Sequence, residues 1–233
     1  RLQNLTNEIV LTGIDMSSYG LDIGTTLSNL ILNLSHINVR IRFGSLEARV
    51  ISEEFLQNTK KLQKFCPHFH LSLQSGDDNT LKNMNRKYTS AFYAEKVALI
   101  RQFYPTAAIT TDLICGFPTE SESEFENTLR FVSQIKFSDI HIFAYSKREG
   151  TVAAKYKMLD GEVVKRRTKL LEEIAKENKA AYYRSFIGKT VEVLVEIDGG
   201  YTREYVKVKC DGDEGSLKQF VPTFYDEEKE VLM

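Results

Sequence analysis

The chain has 233 residues, 42% of them hydrophobic, with 31 basic and 32 acidic side chains and a formal net charge of −1. That is enough apolar material for one large domain with a small appendage, and the near-neutral balance excludes a global field drawing the chain onto nucleic acid, so any RNA contact must come from local patches. No apolar run approaches the roughly 20 residues that span a bilayer, the opening "RLQNLTNEIVL" lacks the shape of a signal peptide, and Cys66, Cys115 and Cys210 are too scattered for a disulfide framework or a metal knuckle; together these read as a cytoplasmic protein with reduced thiols and no metal ligand set.

Five stretches rich in Val, Ile and Phe are predicted strands: "EIVLTGID" (Glu8 to Asp15), "NVRIRFGSL" (Asn38 to Leu46), "HFHLSLQ" (His68 to Gln74), "AITTDLICGF" (Ala108 to Phe117) and "DIHIFAYS" (Asp139 to Ser146). Amphipathic helices are predicted between them, from Leu27, Leu30, Ile31 and Leu34, from Phe55, Leu56, Thr59 and Leu62, from Tyr93, Val97, Ile100 and Tyr104 after Thr89, and from Phe125, Leu129, Val132 and Ile135 after a Ser121/Glu124 capping box. A β-α repeat of roughly thirty residues is the size of a right-handed crossover unit, which implies a parallel sheet or barrel. The fold class is therefore α/β, a partial, open parallel β/α barrel followed by a small β domain.

Several strands carry polar residues where a doubly covered parallel strand would be apolar: Arg40 and Arg42, His70 and Ser72, Thr110 and Asp112, His141. With helices on the outside, this set is expected to look into the barrel lumen. Gln74, Ser75 and Gly76 then stand at the carboxyl end of a strand, the edge where α/β barrels assemble their sites. Gly13, Gly44, Gly76 and Gly116 either let backbone approach a ligand there or simply make strand-to-helix turns.

A long helix is predicted to end at Gly188. After it, "KTVEVLVEI", "YTREYVKVKC" and "LKQFVPTF" alternate at period two around "DGG" and "DGDEG", an antiparallel β unit too small to be independently stable and so packed on the barrel or the helix. The expected organisation is a barrel over 1–158, a connecting helix over 159–187 and the β domain over 188–233. "KRRTK" (Lys165 to Lys169) is the best basic patch; it is either an RNA surface or a solvated helix face pairing with Glu172 and Glu173.

"EIVLTGIDMSSYG", "RIRFGSLE", "HLSLQSGDDNTLKNMNRKY", "TTDLICGFPTESESEFENTL" and "FAYSKREGTVAA" resemble, in order and spacing, the radical-SAM methylthiotransferases, the MiaB-like tRNA-modifying family, and "GKTVEVLVE" with "GYTREYVKV" resembles the start of its C-terminal TRAM-type domain. "GSLE" is similar to the branch that acts on threonylcarbamoyl-adenosine beside the tRNA anticodon. The resemblance implies S-adenosylmethionine and two 4Fe-4S clusters, one for radical generation and one for sulfur delivery. It also implies a CxxxCxxC loop, which this sequence lacks and which is expected upstream of Arg1, with the family's N-terminal domain; the chain is similar to the C-terminal two-thirds of such an enzyme and is expected to be inactive and free of clusters alone.

Carried over residue by residue, the resemblance suggests Gly13 and Asp15 at the motif that meets the cofactor's amino group. Ser45, Glu47, Gln74 and Arg86 would serve ribose hydroxyls and the methionine carboxylate, with Arg86 suited to a forked pair or, alternatively, to a salt bridge with Asp77 or Asp78. Asp112, a mid-strand carboxylate, must face a polar cavity or find a donor such as Arg42. Phe143 and Tyr145 either border the adenine or pack in the core. Lys165, Arg166, Arg167, Lys189, Arg203 and Lys207, with Lys169 and Lys209, would form one tRNA-binding surface if helix and β domain present them together.

The histidines raise a metal hydrolase as a minor alternative: HxH places His68 and His70 on one face of a strand, with His141 elsewhere, but a bridging carboxylate in register is not evident from the sequence. Two further alternatives are a methylthiotransferase acting on a protein side chain and a non-catalytic tRNA-binding scaffold. An exposed first strand also makes a homodimer through that edge an expectation.

Overall fold

The structure, a computed structural model, describes residues 5–233; the first four residues, where the N-terminal reading and the first predicted domain begin, lie outside them. Five strand positions run in parallel: β1 (Glu8–Leu11), β2 (Arg40–Phe43) with its continuation β3 (Ser45–Leu46), β4 (Lys64–Phe65) with its continuation β5 (His68–Leu71), β6 (Ala108–Cys115) and β7 (Asp139–Ala144). Pairing changes hands at the breaks after Phe43 and Phe65, so the ladder divides into β1-β2-β4 and β3-β5-β6-β7. The strands are shorter than the apolar runs suggest, because each run ends in the loop that leaves the sheet.

Helices α1 (Leu27–Asn33), α2 (Glu53–Thr59), α3 (Asp78–Asn83), α4 (Ser90–Phe103) and α5 (Glu122–Ile135) connect them. Thr26, Ser52, Asp77, Thr89 and Ser121 each accept a backbone N–H of the first turn, and Ser121 with Glu124 closes the expected capping box. One strand face supplies Ile41, Phe43, Phe69, Leu71 and Leu113 to a core shared with Phe55, Tyr93, Val97, Phe125 and Val132 of the helices. The alternate face carries the polar residues, because successive side chains of a strand point to opposite sides.

Helix α6 (Gly161–Arg184) joins two cores: Leu171 and Ala175 belong to the first, while Tyr183, with Phe186 just beyond the helix, belongs to the second, built on Val193, Val195, Val206, Val208 and Leu232. This second core lies under a six-stranded sheet of β8 (Val191–Glu196), β9 (Gly199–Thr202), β10 (Lys207–Val208), β11 (Leu217–Phe220), β12 (Tyr225–Asp226) and β13 (Val231–Leu232), in the order β11-β8-β9-β10-β13-β12. It is antiparallel apart from the β10–β13 pair.

The β domain is held to the barrel by three arginines. Arg40, fully buried, donates to the Glu192 carboxylate at 3.1 Å and to the Tyr201 carbonyl at 3.2 Å. Arg42 forks onto Glu8 at 2.7 and 3.1 Å and reaches the carbonyls of Thr202 and Arg203. From the other side Arg203 donates to the Phe65 carbonyl. Arg42 is therefore not the donor for Asp112.

Candidate functional site

The lumen holds two cavities that share Asp112 and Phe143. The larger, about 760 Å³, opens at the carboxyl ends of the strands and is lined by Gln74, Arg86, Asp112, Phe117, Phe143, Tyr145 and Arg148 among others. The smaller, about 610 Å³, lies toward the β domain and takes in Ser45, His68, His70, Thr110, His141 and Tyr205.

Five of the residues expected at a cofactor site thus converge on one cavity: Gln74, Arg86, Asp112, Phe143 and Tyr145. Gln74 holds left-handed backbone, φ 75°, uncommon and mildly strained for a residue with a side chain; its N–H donates to the Asp112 carbonyl and its own carbonyl accepts from Ile114, which pins it beside β6. Arg86 is exposed and makes no ion pair among the described residues; Asp77 instead caps α3 and accepts from Asn127, and Asp78 accepts from the Ser90 N–H. Phe143 is 53% exposed to the lumen, so it does not pack in the core. Tyr145 meets Phe117 edge-on at 5.5 Å, and its buried hydroxyl has no partner among the described residues.

The other expected residues fall elsewhere. Ser45 lines the smaller cavity. Gly13 lies in an exposed loop, and Asp15 caps a short 3₁₀ turn, where hydrogen bonding from Ser18 holds its carboxyl below the usual range. Glu47 turns to Arg49, which also lies 3.9 Å from Asp15. Packing alone requires Gly76 and Gly116: a Cβ at Gly76 would lie 2.8 Å from Phe131 and 2.9 Å from the Thr128 backbone, and one at Gly116 2.7 Å from Val164.

Asp112 is in register with His141 across β6 and β7. Its carboxylate lies 3.3 Å from His70 Nε2 and 3.4 Å from His141 Nδ1. The carboxylate the sequence did not reveal beside the histidines is this one, because only the strand register brings it there. His68 Nε2 and His70 Nδ1 both meet the Thr110 hydroxyl, at 3.1 and 3.0 Å. Burial, with Arg42 nearby, pushes the His68 imidazole down to about 3, so it stays neutral. Arg148, on the loop after β7, is a cavity residue that no strand pattern marked.

The basic residues do not form one surface. Lys165, Arg166, Lys189 and Lys207 are exposed, and Arg166 pairs with Glu122 at 2.7 Å. Arg167, expected to face RNA, is 3% exposed and is bound to Glu120 at 2.8 Å and Glu122 at 3.0 Å over the Phe125 ring. Arg203 is half-buried in its clamp on Phe65. The rise of α6 places Lys165 about 30 Å from the β-domain lysines.

The cavity at the strand ends fits an adenosyl amino acid: aromatic walls, an orphaned hydroxyl and an unpaired guanidinium at the rim. The thiols do not fit a cluster. Cys66 is buried beside Glu8, and burial pushes its thiol up to about 12; Cys115 faces the Val164 carbonyl; Cys210 sits in the β-domain core.

The Radical SAM superfamily model matches residues 2–132, more than half of the chain. The chain is 36% identical over 212 residues to a protein of Thermotoga maritima named threonylcarbamoyladenosine tRNA methylthiotransferase MtaB, covering 86% of this chain and 48% of that one. It is 39% identical to the protein of the same name from Aquifex aeolicus, with 88% and 51% covered. It is 40% identical to a tRNA-2-methylthio-N(6)-dimethylallyladenosine synthase of Acetivibrio thermocellus, with 81% and 40% covered. The chain thus spans about half the length of the curated relatives it matches. Among solved structures it is similar in fold to coproporphyrinogen III oxidase (HemN) of Escherichia coli, a radical SAM enzyme, with a TM-score of 0.57 at 16% identity over 74% of this chain and 40% of that one. No helix among the described residues is long and apolar enough to cross a membrane. On the family match and the parallel half-open barrel together, the chain belongs to the radical SAM superfamily.

Proposed function

We propose that this chain forms the S-adenosylmethionine- and tRNA-holding part of a cytoplasmic enzyme that adds a methylthio group to threonylcarbamoyl-adenosine next to the tRNA anticodon. The observation that carries the substrate assignment is the pair of guanidinium groups, Arg86 and Arg148, that rim the larger cavity without an ion-pair partner among the described residues. One suits the methionine carboxylate of the cofactor and the other the carboxylate that ends a threonylcarbamoyl group. A dimethylallyl substituent offers neither guanidinium anything. A protein side-chain substrate is the second reading, and the tRNA names of the relatives argue against it.

When bound, S-adenosylmethionine supplies the radical and methyl chemistry of such a reaction, alongside two iron–sulfur clusters whose ligands these cysteines do not provide. The chain's own residues have positioning roles. Arg86 holds the methionine carboxylate in a fork, Phe117, Phe143 and Tyr145 flank the adenine, the Tyr145 hydroxyl donates to it, and Gln74 and Asp112 take ribose hydroxyls or the ammonium group. Ser45 belongs to the adjoining wall, while Gly13, Asp15 and Glu47 shape the loop beyond it. Lys165, Arg166, Lys189 and Lys207 supply phosphate contacts, which give affinity and not sequence.

Disruption of the gene followed by mass spectrometry of tRNA nucleosides tests the assignment. Loss of the methylthio form of threonylcarbamoyl-adenosine with accumulation of its unmodified precursor is expected. Loss of the dimethylallyl species instead, or no change, contradicts it.

A further inference from the structure

The proposed function gives Asp112 a polar contact with the cofactor but leaves His70 and His141, which meet the same carboxylate, unused. We infer that these three side chains form a site for a divalent first-row transition-metal cation, of the zinc or cobalt class, in the lumen between the two cavities. The chemistry is that of a three-ligand site: two imidazoles and one carboxylate, with the remaining coordination positions open to the cavity.

Three observations carry it. First, the facing ligand atoms, one per residue, lie within 4.8 Å of one another. Second, the contacts of Asp112 at 3.3 and 3.4 Å are too long for charge-assisted hydrogen bonds, which run about 2.7–2.9 Å. They run to different oxygens, Oδ2 toward His70 and Oδ1 toward His141, and each matches the edge between two ligands of a tetrahedral ion with arms of about 2.0–2.2 Å, namely about 3.3–3.6 Å, so a turn of the carboxylate or a grip through both oxygens brings both imidazoles onto one ion. No other side chain donates to this mid-strand carboxylate among the described residues. Third, a second layer already orients one ligand. With a cation on His70 Nε2, the ring proton sits on Nδ1 and donates to the Thr110 hydroxyl, which also meets His68 Nε2. This is the outer-shell arrangement that fixes the tautomer of a metal-bound histidine.

The strand register makes the ligands meet. His70 pairs with Thr110 across β5 and β6, and Asp112 with His141 across β6 and β7. His141, 56% exposed on its strand, is the arm free to close on the ion, by about 1 Å to reach bonding distance. Without a thiolate at hand, the donor set selects the imidazole-binding metals over magnesium or calcium.

The test is an anaerobic titration of the purified chain with Co²⁺, read by ligand-field absorption, with Zn²⁺ competition followed calorimetrically. One equivalent with the bands of a nitrogen and oxygen site, displaced by Zn²⁺, is expected. Asp112→Asn and His141→Ala should each weaken binding by more than about 100-fold, and Thr110→Val by roughly 10-fold, since it touches only the outer shell. His141→Ala alters a half-exposed side chain, so it remains informative if the Asp112 variant fails to fold. Substitution of all three cysteines by serine should leave the bands unchanged. Absence of stoichiometric binding, binding that survives His141→Ala, or thiolate charge-transfer bands lost in the cysteine variant would overturn the inference.

Discussion

Arg167 and Asp112 show how far single residues are readable. Asp112 announces itself, because a carboxylate in mid-strand must find a cavity or a partner, and it lines both cavities. Its partners were not legible, because a one-residue change of register would have placed other side chains opposite. Arg167 misleads for the converse reason: a basic run on a helix gives no sign of which member turns inward, and Arg167 turns toward buried Glu120. Arg167→Ala leaves that carboxylate buried without its cation and is expected to cost about 3–5 kcal/mol in chemical denaturation. The double variant Arg167→Met/Glu120→Leu should recover most of it; a loss below about 1 kcal/mol for the single variant would show that the pair is solvated after all. Cys66 gives a second prediction. Its thiol, raised to about 12 by burial, carries almost no thiolate at pH 8, so it should react with a thiol reagent far more slowly in the native chain than in urea and accelerate only as pH approaches that value. Anaerobic reconstitution should yield no four-iron cluster, and stoichiometric iron and sulfide on this chain would refute the cysteine geometry described here.

At the level of elements, periodicity and capping located the helices, since Thr89 and Ser121 sit where sequence places them and the Ser121/Glu124 box closes. Strand ends were less legible: apolar runs continue into loops, so β1 stops at Leu11 and the predicted Gly13 and Asp15 lie beyond it. Glycines at those ends could be read as ligand contacts or as turns, and neither reading foresees that Gly76 and Gly116 pack against Phe131 and Val164, tertiary neighbours that no local pattern reveals. Among the described residues strand β1 pairs with β2 on one side only, and Val10 on it is 51% exposed. Open edges recruit strands from other chains. A concentration-dependent dimer in light scattering is expected, with Val10→Lys shifting it to monomer without change in circular dichroism; a monomer at every concentration would remove this edge from consideration.

For the whole molecule, the change of composition at Gly188 marked the β unit, but not its attachment through Arg40, Arg42 and Arg203, which are long-range pairs made by topology. If the chain holds tRNA as proposed, that attachment sets where the RNA lies. Lys165 and Arg166 at one end of α6 and Lys189 and Lys207 at the other form two patches, and a tRNA gripping both through about four phosphate contacts should lose about a hundredfold in affinity between about 50 and 200 mM salt. Lys165→Glu/Arg166→Glu should lower the logarithmic salt slope by about 1.5; equal slopes would leave the β domain as the RNA surface. The central claim, that the cavity at the strand ends holds S-adenosylmethionine, is tested most directly by calorimetric titration of this chain with S-adenosylmethionine, alongside Arg86→Ala and Tyr145→Phe. The account requires one site, weakened by about tenfold or more in Arg86→Ala, where a charged hydrogen bond is lost, and by a few-fold in Tyr145→Phe, whose stability should not fall because the hydroxyl has no partner among the described residues. Absence of binding to the folded chain, or binding indifferent to both substitutions, would contradict it.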